Sequence, residues 1–252
     1  ILDRSIPTSY IIDAYKKKLG INVEKFFKSI STIEIYKCLD TSYRFYHPFN
    51  ITGDDSFYQE LEKFPWYYMD WKWEHKIASE IIKKGDRVLE IGCAHGSFLK
   101  KIKDGGAIVE GLELNSGAMN DCLKNKLLVY SDTIEKFSEA KKNIYDVVCS
   151  FEVLEHVAEV KSFIDSSLYA LKPGGLMVVS VPNNDCLMFK YGDGTLNIPP
   201  HHMGLWTMNS LIKLQEYFPM KIESIHLEPL QKYHIGFAQR LSDRKVTEKL
   251  LE

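Results

Sequence analysis

Glu152, Glu155 and His156 stand at i, i+3 and i+4 in the run Phe151-Glu152-Val153-Leu154-Glu155-His156-Val157. One helical turn would bring these two carboxylates and the imidazole to one face. A second pair of imidazoles, His201 and His202, lies in a long stretch further on. Two carboxylate oxygens with one or two imidazole nitrogens could hold a divalent ion such as Mg²⁺, Mn²⁺, Fe²⁺ or Zn²⁺. The metal reading takes Glu152, Glu155, His156 and His202. Without a metal, His156, His201 and His202 are the candidates for a general base, with one histidine left as a loop anchor.

A different chemistry is written into Arg87-Val88-Leu89-Glu90-Ile91-Gly92-Cys93-Ala94-His95-Gly96. An apolar strand ends in an acid and turns through small residues into a helix that opens with Ser97-Phe98-Leu99. Small residues there let the backbone approach a bound ligand, and a helix N-terminus offers N–H groups. The dinucleotide fingerprint is G-x-G-x-x-G. Here the small positions are Gly92, Ala94 and Gly96, and Ser97 occupies the third dinucleotide position. The carboxylate of Glu90 suits a ligand with an amino group or hydroxyls better than a pyrophosphate, which it would repel.

Four further segments follow in order. Ala107-Ile108-Val109-Glu110-Gly111-Leu112-Glu113 reads as a buried strand ending in an acid, about 20 positions after the glycines, where a carboxylate can take both ribose hydroxyls. Leu127-Leu128-Val129-Tyr130 is a short strand with Asp132 at its tip, and Tyr145-Asp146-Val147-Val148-Cys149-Ser150-Phe151 is another. Leu171-Lys172-Pro173-Gly174-Gly175 ends a helix and turns into a last strand over 176–181.

This ordered set resembles the class I S-adenosylmethionine-dependent methyltransferases over about residues 80–230. Their loop is E/D-x-G-x-G-x-G, from which Ala94 departs while keeping a small residue. The resemblance implies an α/β fold: a doubly wound, Rossmann-like, mostly parallel seven-stranded sheet with helices on both faces. It implies S-adenosyl-L-methionine as cofactor, with Glu90, Gly92, Cys93, Ala94, Gly96, Glu113, Leu114, Asp132, Thr133, Phe151 and Glu152 around it. Asp132 resembles the acid that pairs with the adenine amino group.

The E-x-x-E-H run with a later histidine is similar to two groups of that family. These are the ubiquinone-pathway O-methyltransferases and the small-RNA 3′-terminal 2′-O-methyltransferases, in which a metal holds the accepting hydroxyls. E-x-L-E-H-V also occurs in methyltransferases where it caps the sheet and touches cofactor. Pro199-Pro200-His201-His202-Met203-Gly204-Leu205-Trp206 resembles bacterial methyltransferases acting on small molecules or glycan precursors. The implied reaction is in-line methyl transfer to a hydroxyl of a small molecule or saccharide, with a histidine base or a divalent metal. The alternatives are metal-dependent RNA 2′-O-methylation and a non-catalytic cofactor-binding module. The glycine spacing and the Lys-Pro-Gly-Gly turn disfavour a nicotinamide dehydrogenase.

Composition narrows the class. The 252 residues suffice for an α/β core and an extension, and the net charge of −2 gives no broad positive field for nucleic acid. Cys38, Cys93, Cys122, Cys149 and Cys186 are scattered, odd in number and without a C-x-x-C pair, against a disulfide framework or a zinc site. The chain shows neither a signal peptide nor an apolar run of membrane-spanning length, so a cytoplasmic location is expected. It opens on Ile1 rather than Met, which leaves room for a neighbouring domain upstream.

Three segments are expected. Residues 1–80 form a mainly helical, aromatic-rich extension, with helices over 10–19 and 23–30 and a short strand over 33–36. Its rings include Tyr43, Phe45, Tyr46, Phe49, Phe57 and Tyr58, and Pro65 is expected to open a helix carrying Trp66, Tyr67, Tyr68, Trp71 and Trp73. These rings either pack the extension onto the sheet or form an acceptor pocket or lid. Residues 81–240 are the cofactor-binding domain, with a long irregular stretch over 183–206, a helix over 207–218 and closing strands over 221–227 and 233–239. Residues 241–252 are a charged tail, expected to be helical from Ser242.

Overall fold

In this computed structural model, residues 1–187, 189, 194–236 and 239 are described. The charged tail and part of the expected strand over 233–239 lie outside them. The chain divides into two compact units, Gly53–Val181 and a second made of Ile1–Thr52 with Pro182–Glu252. The strands in chain order are β1 (Leu2–Pro7), β2 (Thr32–Lys37), β3 (Arg44–His47), β4 (Arg87–Ile91), β5 (Ile108–Leu112), β6 (Val129–Tyr130), β7 (Tyr145–Phe151), β8 (Leu171–Ser180) and β9 (Gly204–Leu205). The helices are α1 (Thr8–Leu19), α2 (Asp55–Glu62), α3 (Trp73–Ile81), α4 (Ser97–Asp104), α5 (Ser116–Lys124), α6 (Ile134–Ser138), α7 (Val160–Ala170) and α8 (Met208–Ile212).

Within Gly53–Val181 the sheet runs β6-β5-β4-β7-β8, every pair parallel. The near-continuous apolar runs of β4 and β7 are what a strand covered on both faces requires. Their side chains join one core with Phe98, Leu99 and Ile102 of α4, Cys122 of α5 and Ala78 of α3. The Lys-Pro-Gly-Gly turn appears as an excursion inside β8. Tyr145 pairs with Leu171 and Val147 with Leu176, so Asp146 alone stands opposite residues 172–175. Lys172 Nζ donates to Asp146 Oδ1 at 2.7 Å, and Asp146 Oδ2 accepts the Arg87 N–H at 2.9 Å, which ties the excursion to the start of β4.

The expected seven-stranded sheet has five strands among the described residues. Residues 221–227 form no strand; they are almost wholly exposed, so no buried face is there to select a register. Lys232–His234 is a single 3-10 turn. The helix expected from Pro65 is corrected too. Residues 65–72 are turns and bends, and the helix begins at Trp73. Consecutive aromatic rings lose side-chain freedom in a helix and favour it poorly.

The second unit holds a four-stranded antiparallel sheet, β1-β2-β3-β9. The mainly helical character expected at the N-terminus gives way to this sheet plus α1. Ile33 and Ile35 alternate with outward residues along β2, the period of a half-buried strand. The second expected helix is only a 3-10 turn, Glu24–Phe27. Ile11 and Tyr15 of α1, Tyr46 of β3 and Trp206 after β9 are fully or almost fully buried, and Trp206 stacks on Tyr43 at 4.1 Å between ring centroids. Among the described residues, no helix is long and apolar enough to cross a membrane.

Candidate functional site

The loop from β4 into α4 turns through three left-handed residues at alternate positions: Gly92 (φ 72°), Ala94 (φ 46°) and Gly96 (φ 76°). A Cβ on Gly92 would stand 2.4 Å from Val153 Cγ2, and one on Gly96 would stand 2.4 Å from Leu127 Cδ1 and 2.9 Å from Cys122 Sγ. Both glycines are therefore demanded by dihedral and by space. Ala94 carries its positive φ as strain, of about 1 kcal/mol or more. The N–H groups of Gly92 and Cys93 both donate to Leu112 O, at 2.8 and 3.0 Å, which fixes the loop to the end of β5. Cys93 is buried beneath it, and Cys122 Sγ donates to Ala94 O at 3.2 Å.

Glu90 is buried in β4, and its Oε2 has no hydrogen-bond partner among the described residues. Burial pushes its carboxyl well above the usual range, and the neighbouring Cys122 and Glu113 add to this. Glu113 is placed differently. Its Oε2 accepts the Ala94 N–H at 2.8 Å and its Oε1 accepts the Asn115 N–H at 2.7 Å. Burial raises its carboxyl, while these N–H groups pull it down. Each oxygen keeps a lone pair for a further donor, such as a ribose hydroxyl. Leu114 is exposed, and Asn115 caps α5 by accepting the Ala118 N–H at 3.0 Å. Asp132 pairs with Lys136, one turn on, and Thr133 is the residue before α6.

Phe151 ends β7 against Phe98 and His75, at 4.9 Å from each. Glu152 has φ 55°, and its N–H donates to Ser180 O at 3.0 Å. The single helical turn expected over 152–156 is a 3-10 turn, Leu154–His156, with Glu152 before it. Glu155 is fully buried; burial, then the charge of Glu152, drive its carboxyl well above the usual range. His156 Nδ1 lies 3.3 Å from the Tyr58 hydroxyl.

Tyr58 and Tyr68 were not singled out by the sequence as site residues. Burial raises the Tyr58 phenol strongly, followed by Glu155 and Glu113. Burial also raises that of Tyr68, followed by Glu113, Glu62 and Tyr58. Both phenols therefore feel the charges of the acids at the carboxyl ends of β5 and β7, and both stay protonated. Glu62 accepts from Asn115 Nδ2 at 3.1 Å, and Tyr68 sets its ring edge-on to His95 of the glycine loop at 5.1 Å. The density of rings after residue 56 was the available signal.

In the second unit His201 and His202 are buried with their rings stacked, 4.3 Å between centroids. His201 Nδ1 lies 2.8 Å from Leu196 O, and His202 Nδ1 lies 3.2 Å from Asn197 Oδ1.

The unit Gly53–Val181 thus offers a narrow backbone cradle, a buried carboxylate oxygen awaiting a donor, and an acid anchored beside the loop. These acceptors suit the ammonium and the ribose hydroxyls of S-adenosylmethionine. Residues 66–235 match the family model described as "Methyltransferase domain". A ubiquinone biosynthesis O-methyltransferase from Vibrio vulnificus is 32% identical over 170 residues, covering 60% of this chain and 72% of the relative. One of the same name from Vibrio cholerae serotype O1 is 28% identical over 170 residues, with 60% and 69% covered. A solved S-adenosylmethionine-dependent methyltransferase from Thermotoga maritima, titled a possible histamine N-methyltransferase, shares the fold. It is 18% identical, with a TM-score of 0.50 over 65% of this chain and 77% of its own. The ordered motifs, the parallel sheet with its strained loop and the family match make this chain a member of the methyltransferase-domain family and a class I S-adenosylmethionine-dependent methyltransferase.

Proposed function

We propose that the enzyme methylates a hydroxyl oxygen of a small molecule or a glycan precursor. The observation that carries this reading is the 28% and 32% identity to two enzymes named O-methyltransferases, over an alignment of 170 residues each. The cofactor supplies an activated methyl on sulfur. The chain's own task is to hold the acceptor in line and dry, and to receive its proton. The Gly92–Gly96 loop and Glu90 take the amino-acid end of the cofactor, and Glu113 takes the ribose hydroxyls. Asp132 is assigned to the adenine amino group, at the cost of its pairing with Lys136. A neutral hydroxyl is a weak nucleophile, so a base must accept its proton during attack; His156, His201 and His202 are the candidates.

A divalent ion is a second means of acidifying the hydroxyl. Glu152 raises the pKa of its neighbour Glu155, and His156 follows directly, so two carboxylates and an imidazole share one short segment. This set suits an ion of the Mg²⁺ to Zn²⁺ range, and these residues would hold it.

Calorimetric titration with S-adenosylmethionine, with and without Mn²⁺, tests the cofactor and the ion together. Micromolar binding is expected. Transfer of a labelled methyl group to catechol or to free monosaccharides then tests the acceptor. Methylation of an amine probe in place of every hydroxyl probe would sink the oxygen reading.

A further inference from the structure

Cys93 of the glycine loop and Cys122 of α5 are buried in one core, with their side chains hydrogen-bonded to each other. A thiol has one hydrogen to give. That of Cys122 goes to Ala94 O at 3.2 Å, so the hydrogen between the two sulfurs belongs to Cys93. Glycines leave the room for both sulfurs. A Cβ on Gly111 would stand 2.7 Å from Cys93 Sγ, and one on Gly96 would stand 2.9 Å from Cys122 Sγ. The pair bears directly on Ala94, which is held at φ 46° from two sides. Its N–H donates to Glu113 Oε2 at 2.8 Å, and its carbonyl accepts from Cys122. The methyl transfer proposed above uses neither thiol.

We infer that Cys93 and Cys122 are a dithiol modification site, which a peroxide converts to a disulfide that loosens the cofactor loop. The effect on the loop rests on the Gly92–Gly96 segment taking the cofactor. Cys122 reacts first. The hydrogen given by Cys93 holds the Cys122 thiol below the usual range, whereas the same bond and burial push Cys93 up. The Cys122 sulfur attacks one peroxide oxygen and the oxygen–oxygen bond breaks. Cys122 becomes a sulfenic acid, and its thiol proton leaves with the other oxygen as water. The Cys93 sulfur then attacks the Cys122 sulfur, and the hydroxide it displaces takes the Cys93 proton as a second water. Two thiols and one hydrogen peroxide give one disulfide and two waters, the sulfurs losing the two electrons that the peroxide gains. A disulfide holds its sulfurs about 2.0 Å apart and carries no hydrogen. Ala94 O therefore loses its donor, and the strained residue keeps only its tie to Glu113.

The test treats the whole chain with hydrogen peroxide, removes it, and digests a part without reductant. Mass spectrometry is expected to find the Cys93 and Cys122 peptides joined, two hydrogens lighter than their sum. Calorimetry on the oxidised protein is expected to show S-adenosylmethionine affinity lowered about fivefold, the worth of one hydrogen bond, and dithiothreitol is expected to restore it. Cys122→Ser keeps a hydroxyl for Ala94 O and leaves Cys38, Cys149 and Cys186 in place. Its affinity is expected to stay the same before and after peroxide. Absence of the joined peptides overturns the site. Joined peptides with unchanged affinity overturn the loosening of the loop. So does a loss that dithiothreitol does not reverse, which is read on the wild type alone, or an equal loss in Cys122→Ser. The joined peptides are read without cofactor, so a wild type that binds no S-adenosylmethionine overturns the loop's assignment and the effect on binding, while the disulfide stands or falls on the mass alone.

Discussion

Glu113 holds Ala94 by accepting its N–H at 2.8 Å, so the acid at the tip of β5 fixes the middle of the glycine loop at the tip of β4. The same carboxylate takes the Asn115 N–H at 2.7 Å and so sets the entry to α5. One side chain thus shapes the cradle and, in the proposed reading, takes the ribose. Glu113→Ala removes both N–H contacts and any bond to the ribose. Charged hydrogen bonds of this kind are each worth about 1.5–3 kcal/mol. S-adenosylmethionine affinity is expected to fall at least about 100-fold by calorimetry. Glu113→Gln keeps one acceptor and should lose less. Equal losses in the two variants would remove the anchoring role.

Gly92→Ala meets two obstacles, a φ of 72° and Val153 Cγ2 at 2.4 Å from the new Cβ. The first costs about 1–2 kcal/mol and the second about 1–3 kcal/mol. Val153→Ala in the same chain opens the space but leaves the dihedral penalty. The double variant should recover part of the stability lost in urea unfolding and little of the cofactor affinity. Full recovery would mean that the left-handed turn is not needed.

The cofactor half of this molecule was legible because its signals are local. β4, its acid, its glycines and the helix after them lie within eighteen residues, Arg87 to Asp104. Tips of parallel strands gather at one edge, so Glu90, Glu113 and Asp132 could be placed from order alone. The antiparallel sheet was not legible, because β3 pairs with a strand of two residues, Gly204–Leu205, across the whole cofactor unit. No periodicity survives in two residues. Tyr58 and Tyr68 escaped for a related reason. A ring in an aromatic run looks like core, and only three dimensions bring the Tyr58 hydroxyl to His156 Nδ1. Residues 152–156 read as an α-turn because spacing does not separate it from the tighter 3-10 turn that forms.

Glu90→Gln should act in opposite directions on stability and on binding. Burial raises the Glu90 carboxyl well above its ordinary value. The folded protein therefore keeps this proton at pH values where the unfolded chain has lost it. Stability then falls as pH rises above the ordinary carboxyl range, toward the raised value. The glutamine has no proton to lose, so the ligand-free variant should melt higher near pH 8 and lack that decline. In the proposed reading Glu90 gives up this proton as it meets the cofactor's ammonium, which glutamine cannot do, and affinity should weaken about tenfold or more. A variant that binds as tightly as the wild type would show that Glu90 has a structural role only.

His75 gives the acid side of the stability profile. It is buried in α3 against Trp71, Phe98 and Phe151, with its Nδ1 accepting the Lys72 N–H at 3.2 Å. Burial, then the charge of Lys72, lowers its pKa from 6.5 to about 4. The folded state thus holds the ring neutral where the unfolded chain protonates it. Its contribution is complete above pH 6.5 and is lost as pH falls from there toward 4, to a total of about 3 kcal/mol. His75→Leu keeps an apolar side chain among the rings but removes the acceptor for Lys72, at about 1 kcal/mol. Urea unfolding across pH 4 to 8 should therefore show the variant weaker at neutral pH and flatter below 6.5. Parallel curves for the two proteins would assign the acid loss to other groups.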